Sequence, residues 1–241
     1  MKGPINARSI SMSSFLINVL RKVDVVSLNM NAAKIQLSQD ELLLVQNGEW
    51  LLTKNRIIEK VQTLFGLLIV DVQKLFTEHH VPLLPEDFAI PPKISKGENY
   101  QGLPYVMLDY PRCFGKDDIF AVRTMFWWGN FFSTTLHLKG KYKNDFAPIL
   151  KKKIAIFSGH PFYINIQTDQ WRHDFALDNY KPILEADAAT IQENLIKKDF
   201  CKISGKVDLQ EWNTIHGKLI DFYKMIIKGI TINFRDDETD L

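Results

Sequence analysis

The chain has 241 residues, 30 basic and 28 acidic side chains, two cysteines and 46% hydrophobic residues. This is an ordinary globular composition, which excludes wholesale disorder and collagen-like repeats; at about 150 residues per domain it suits one large domain or two small ones. A net charge of +2 lacks the basic excess with which nucleic-acid binders neutralise phosphates, so nucleic acid is not an expected partner.

The first 37 residues carry weak signals. Val23–Leu28 suits a short strand, and Met1–Ser14 reads as poorly ordered. The apolar segment Ser13–Leu20 is broken by Asn18 and followed by Arg21 and Lys22, the wrong order for a secretory signal. No apolar run approaches the roughly 20 residues of a membrane span. Cys113 and Cys201 form no CxxC pair, so reduced thiols in a cytoplasmic protein are expected.

Ser38-Gln39-Asp40-Glu41 has the spacing of a capping box, which starts a helix at Gln39 that Asn47-Gly48 should stop or kink. From Thr53 to Glu78, Ile57, Val61, Leu64, Leu68, Val72 and Leu75 recur at three- and four-residue steps, the period of one helix face. Ile58, Phe65, Ile69 and Phe76 widen that face. Such a helix is either central to the core or packed on a second copy, and the sequence leaves both open. Pro82, Pro85, Pro91 and Pro92 then interrupt helix and sheet alike.

The middle reads as an antiparallel meander. Leu103–Tyr110 is a strand ended by Pro111. Phe120–Trp128 and Phe131–Leu138 form a hairpin about a two-residue Gly129-Asn130 turn, and Phe162–Gln167 is a fourth strand. A helix over Asn144–Phe157 would hold Pro148 in its first turn. Two further helices follow, Ala186–Lys198 and Asp208–Lys228, the second capped by Asp208 with Glu211 and stopped at Gly229. The acidic tail Arg235–Leu241 is expected to fray.

Phosphate-loop, dinucleotide-binding, nucleophile-elbow and HExxH patterns do not occur in this sequence. The chemistry concentrates in Gly97–His137, where six of the thirteen residues from Phe120 to Phe132 are aromatic. With a two-residue turn, His137 would share a sheet face with Phe126 and Trp128, and Arg123 would share the other with Trp127. As a pocket, Tyr105, Trp127 and Trp128 would form aromatic walls, Arg123 or Arg112 would bind an anionic group, and His137 would act as general base oriented by Asp109. The competing reading is structural: aromatic residues favour strands, and Arg123 in so apolar a strand needs an acid such as Asp109 whatever its role. His160 and His173 flank the fourth strand without a standard metal-ligand spacing, and Lys151–Lys153 reads as a solvated face.

The expectation is a single α+β domain over residues 1–241. Its helical part is 38–80, its Pro-rich connection 81–96, its β-rich middle 97–175 and its helical C-terminal part 183–229, with the sheet packed on a long N-terminal helix and a C-terminal helix. No cofactor is implied. The first functional expectation is a non-enzymatic protein that binds a protein partner or itself. The alternative is an enzyme or small-ligand binder with an aromatic-lined pocket on the sheet, using Arg123 and His137.

Overall fold

The computed structural model describes residues 35–79, 81, 83 and 88–232. The expected strand at Val23–Leu28 and the acidic tail lie outside the described residues. The chain divides into two units, residues 1–55 and 56–241.

In the first unit, α1 (Gln39–Gln46) starts as the capping box predicts: the Ser38 hydroxyl accepts from the Glu41 amide at 3.2 Å, and the Glu41 carboxylate accepts from the Ser38 amide at 2.7 Å. Asn47 breaks the helix, and α2 (Gly48–Glu78) begins at once, earlier than the expected Thr53. Asn47 itself caps the new helix by accepting from the Trp50 amide.

The second unit holds the rest of α2 and, among the described residues, an antiparallel sheet of seven strands. They are β1 (Lys93–Tyr100), β2 (Leu103–Phe114), β3 (Ile119–Trp127), β4 (Phe131–Lys139), β5 (Phe162–Asn165), β6 (Tyr180–Pro182) and β7 (Phe200–Asp208), in the spatial order β1-β2-β3-β4-β7-β5-β6. Between β4 and β5 run α3 (Gly140–Lys153) and a 3-10 turn; α4 (Ala188–Ile191) widens into a π-helical stretch over Gln192–Lys197; and α5 (Ile215–Ile230) closes the described chain. The α+β architecture, with its sheet packed on the long N-terminal and the C-terminal helices, is the one expected.

Strand alternation decides what each sheet face does. Val106, Leu108, Phe120, Val122, Phe126, Phe132, Leu136, Leu138, Ile203 and Val207 point to the helices and join the large core. The face of α2 through Phe65, Leu68 and Val72 is fully buried there, with Phe65 edge-on to Phe132 and Phe76 edge-on to Tyr110. The face considered above for a second copy is therefore covered by the chain's own sheet. A polar contact sits in this layer too: the Tyr223 hydroxyl of α5 lies 3.0 Å from that of Thr124, which lies 3.2 Å from that of Thr134.

Several boundaries differ from expectation for physical reasons. The hairpin turn has three residues, Trp128-Gly129-Asn130, so that Trp127 faces Phe131 and Arg123 faces Thr135. Gly129 supplies its positive φ of 70°, which a side chain would disfavour. One added residue exchanges the two faces of the strand. β2 continues through Pro111 to Phe114, because the register shifts between Asp109 and Arg112 and the proline falls at that irregularity, where a missing N–H is tolerated. Helix α3 starts at Gly140 instead of Asn144, which puts Pro148 in its interior. Helix α5 runs through Gly229 to a cap at Thr231. The glycine serves close packing instead: a Cβ there would stand 2.7 Å from the Phe157 ring.

Candidate functional site

The opposite face of the sheet carries its chemistry in cross-strand rows. Tyr105, Trp127 and Phe131 form an aromatic row across β2, β3 and β4; Met107, Met125, Ser133 and Lys206 form the next. Then come Asp109, Arg123, Thr135 and Ser204, and finally Ala121, His137 and Lys202. The three-residue turn is what puts Arg123, Thr135 and His137 on this face together.

The segment 166–179, which joins β5 to β6, lies over these rows as a strap. Its backbone is anchored from below. Lys202 Nζ donates to the carbonyls of Arg172 at 2.6 Å and Gln170 at 3.2 Å, and the amides of His173 and Asp174 donate to the Tyr100 hydroxyl at 2.7 and 3.1 Å. Gln101 Nε2 donates to Asp174 at 3.1 Å. Within the strap, Arg172 bridges Asp174 and Asp178. At its far end Phe175 stacks on Tyr180 and meets Phe131 and Tyr163 edge-on.

The two histidines beneath and within the strap are held neutral. Arg123 grips Asp109 through two hydrogen bonds, of 2.6 and 3.1 Å, while its Nη1 stands 3.1 Å from His173 Nε2. Burial, with Lys202 and Arg123 adding positive charge, drives His173 well below the ordinary imidazole value. The same causes bring His137 down to about 3. His137 Nε2 contacts Gln170 Oε1 at 3.2 Å, and its ring lies edge-on to Trp171. Lys202, 1% exposed, is lowered to about 7, first by burial and then by Arg123.

Of the expected site residues, Tyr105, Asp109, Arg123, Trp127 and His137 share this face. Arg112 stands opposite Ala121 in the last of these rows, and its Nε donates to the Pro91 carbonyl at 2.6 Å. Trp128 sits in the turn and packs edge-on to Phe126 on the helix side. Asp109 engages Arg123, not His137. A histidine held near 3 is a weak proton acceptor at neutral pH. Lys202, Ser204, Tyr180 and Gln170 were not anticipated. The signal for the first two was the alternation of Cys201, Ile203 and Val207 with Lys202, Ser204 and Lys206, which marks β7 as a strand with one apolar and one polar face.

Both cysteines are buried, and burial raises Cys201 to about 12, so the Cys201 thiol is unreactive. Among the described residues no group of three His, Cys, Asp or Glu side chains is placed to hold a metal, and no helix is long and apolar enough to cross a membrane. His160 lies in a separate groove between α2 and α5, where His216 Nε2 stands 3.1 Å from Asp71, Lys74 pairs with Glu78 and Lys218 with Glu211. Comparison with protein-family models, curated proteins and solved structures finds no match for this chain.

Proposed function

We propose that this protein acts by self-association through its N-terminal helices. One observation carries the reading. Helix α1 buries none of its residues, and Leu42, Leu43, Leu44 and Val45 on it, with Trp50, Leu51 and Leu52 at the start of α2, are all exposed. A solvated helix has no reason to concentrate large apolar side chains, whose burial is worth roughly 1.5–3 kcal/mol each. A contiguous run of this kind marks an interaction surface.

The charge order favours a second copy as the occupant. Asp40, Glu41 and Glu49 precede the apolar run or interrupt it, while Lys54, Arg56 and Lys60 follow it, with Glu59 the one acid among them. Two such segments laid antiparallel about a twofold axis bring acids of one copy against bases of the other, as an isologous interface requires. The reading of the sheet as an open ligand pocket has less support. Arg123 is already neutralised by Asp109, and the strap covers the aromatic and polar rows.

Sedimentation velocity over a wide concentration range tests the proposal. A monomer–dimer equilibrium is expected, shifted to monomer by Leu44→Glu with Leu51→Glu while circular dichroism and thermal unfolding stay close to wild type. A monomer at every concentration would overturn self-association and leave this surface to a different protein.

A further inference from the structure

The strap at residues 166–179 is tied to the sheet by groups whose bonding depends on their protonation state. A guanidinium has donors and no acceptor, so the 3.1 Å contact between Arg123 Nη1 and His173 Nε2 requires an unprotonated Nε2, with the ring proton on Nδ1. Protonating His173 would turn this hydrogen bond into donor facing donor and cation facing cation. His137, the cross-strand neighbour of Lys202, lies under the same segment, against Gln170 and Trp171.

The surroundings offer little to compensate new positive charge. From β3 comes Arg123, from β4 Lys139 beside His137, and from β7 Lys202; from β1 comes the Tyr100 hydroxyl, occupied by two strap amides. The acids nearby are engaged. Asp109 of β2 spends both oxygens on Arg123, Asp174 and Asp178 hold Arg172, and Asp169 accepts from the Trp171 amide. The far end of the strap is held differently, by Phe175 among Phe131, Tyr163 and Tyr180, and by Asn165 donating to Asn179. That end is held by ring packing and by the Asn165–Asn179 hydrogen bonds, with no histidine in it, and can act as the hinge.

We propose that residues 166–179 form an acid-released strap: uptake of protons by His173 and His137 detaches its 167–174 portion from the sheet while the sheet and helices remain folded. The downward shifts of both imidazoles agree with this coupling. A histidine with a depressed value in the closed form supports closure above its free value of about 6.5, and that support is lost as pH falls below it. Between pH 7.5 and 5.5 the opening constant should therefore rise roughly tenfold per histidine, and roughly a hundredfold for the two together.

Hydrogen–deuterium exchange of the full chain at pH 7.5 and 5.5, corrected for the intrinsic rate at each pH, reads this directly. The His173 and Asp174 amides, bonded to Tyr100, are the reporters. Expected is a roughly hundredfold rise in strap opening with β3, β4 and β7 still protected, and only about a tenfold rise in His173→Gln, which keeps an acceptor for Arg123 but does not titrate. Strap opening that ignores pH, strap and core opening together, or a full rise in His173→Gln would each overturn the proposal. Should that variant fail to fold, nitrogen-15 spectra of the wild type at pH 7.5 decide instead. A bare Nε2 on His173 supports the strap mechanism, and a protonated Nε2 overturns it.

Discussion

Arg123 and Asp109 stand opposite each other in the β2–β3 register and close two hydrogen bonds, Nε to Oδ1 at 2.6 Å and Nη2 to Oδ2 at 3.1 Å. Their side chains are 17% and 9% exposed, so each charge is largely withdrawn from water and satisfied by the other. Removing one partner of such a pair strands the remaining charge, which costs about 3 kcal/mol or more, whereas removing both costs less than the sum. Asp109→Leu and Arg123→Leu should each destabilise by about 3 kcal/mol, and the double variant by clearly less than 6. Urea unfolding of the four proteins closes the cycle, and additive losses would show that the pair is not coupled.

Lys202 gives the protein a stability that rises with pH. Its folded value of about 7 lies below the unfolded lysine value of about 10.4, so the unfolded chain holds more protons between the two. Stability should increase by about 1 kcal/mol per pH unit from 7 to 8.5, and Lys202→Met should lose this slope. Above that range Cys201 and the buried tyrosines, all raised by burial, act in the opposite sense. Denaturant melts at pH 7.0, 7.7 and 8.5 are sufficient, and a flat wild-type profile would contradict the assignment.

Two glycines are needed for different reasons, and substitution separates them. A Cβ on Gly205 would stand 2.7 Å from the Phe222 ring, at the contact of β7 with α5. Gly205→Ala should therefore cost about 2 kcal/mol through overpacking, part of which Phe222→Leu restores. At Gly129 a Cβ meets nothing within 4 Å, but φ is +70°. Gly129→Ala should cost about 1 kcal/mol, and no second-site change nearby should recover it. Thermal unfolding of the three variants tests both statements.

The elements with strong periodicity or capping chemistry were legible from residues alone. The Ser38 capping box, the α2 face through Val61, Phe65 and Leu68, and the strands around the aromatic hairpin all follow from local patterns. The missed strands fail for identifiable reasons. β1, with Lys93, Lys96, Gly97, Glu98 and Asn99, is too polar to announce itself, and β6 has three residues. β7 showed its alternation but lay between two helical signals. The candidate site was legible as a list of residue types and not as a geometry. Whether Arg123 and His137 share a face depends on a turn longer by one residue. His173 and Gln170 reach that face only because the strap folds back across strands distant in sequence, and local patterns hold no information on such contacts.

Among the described residues the sheet ends at β1 on one side and at β6 on the other. Each margin is a poor template for an incoming strand. β6 is short and closes on Pro182, which has no amide to donate, and β1 sets Lys93, Lys96 and Glu98 along its length. Backbone zippering between copies is thereby discouraged at both ends of the ladder. Any contact between molecules is then left to side-chain surfaces, and a concentrated solution should resist fibril growth even under the self-association proposed above.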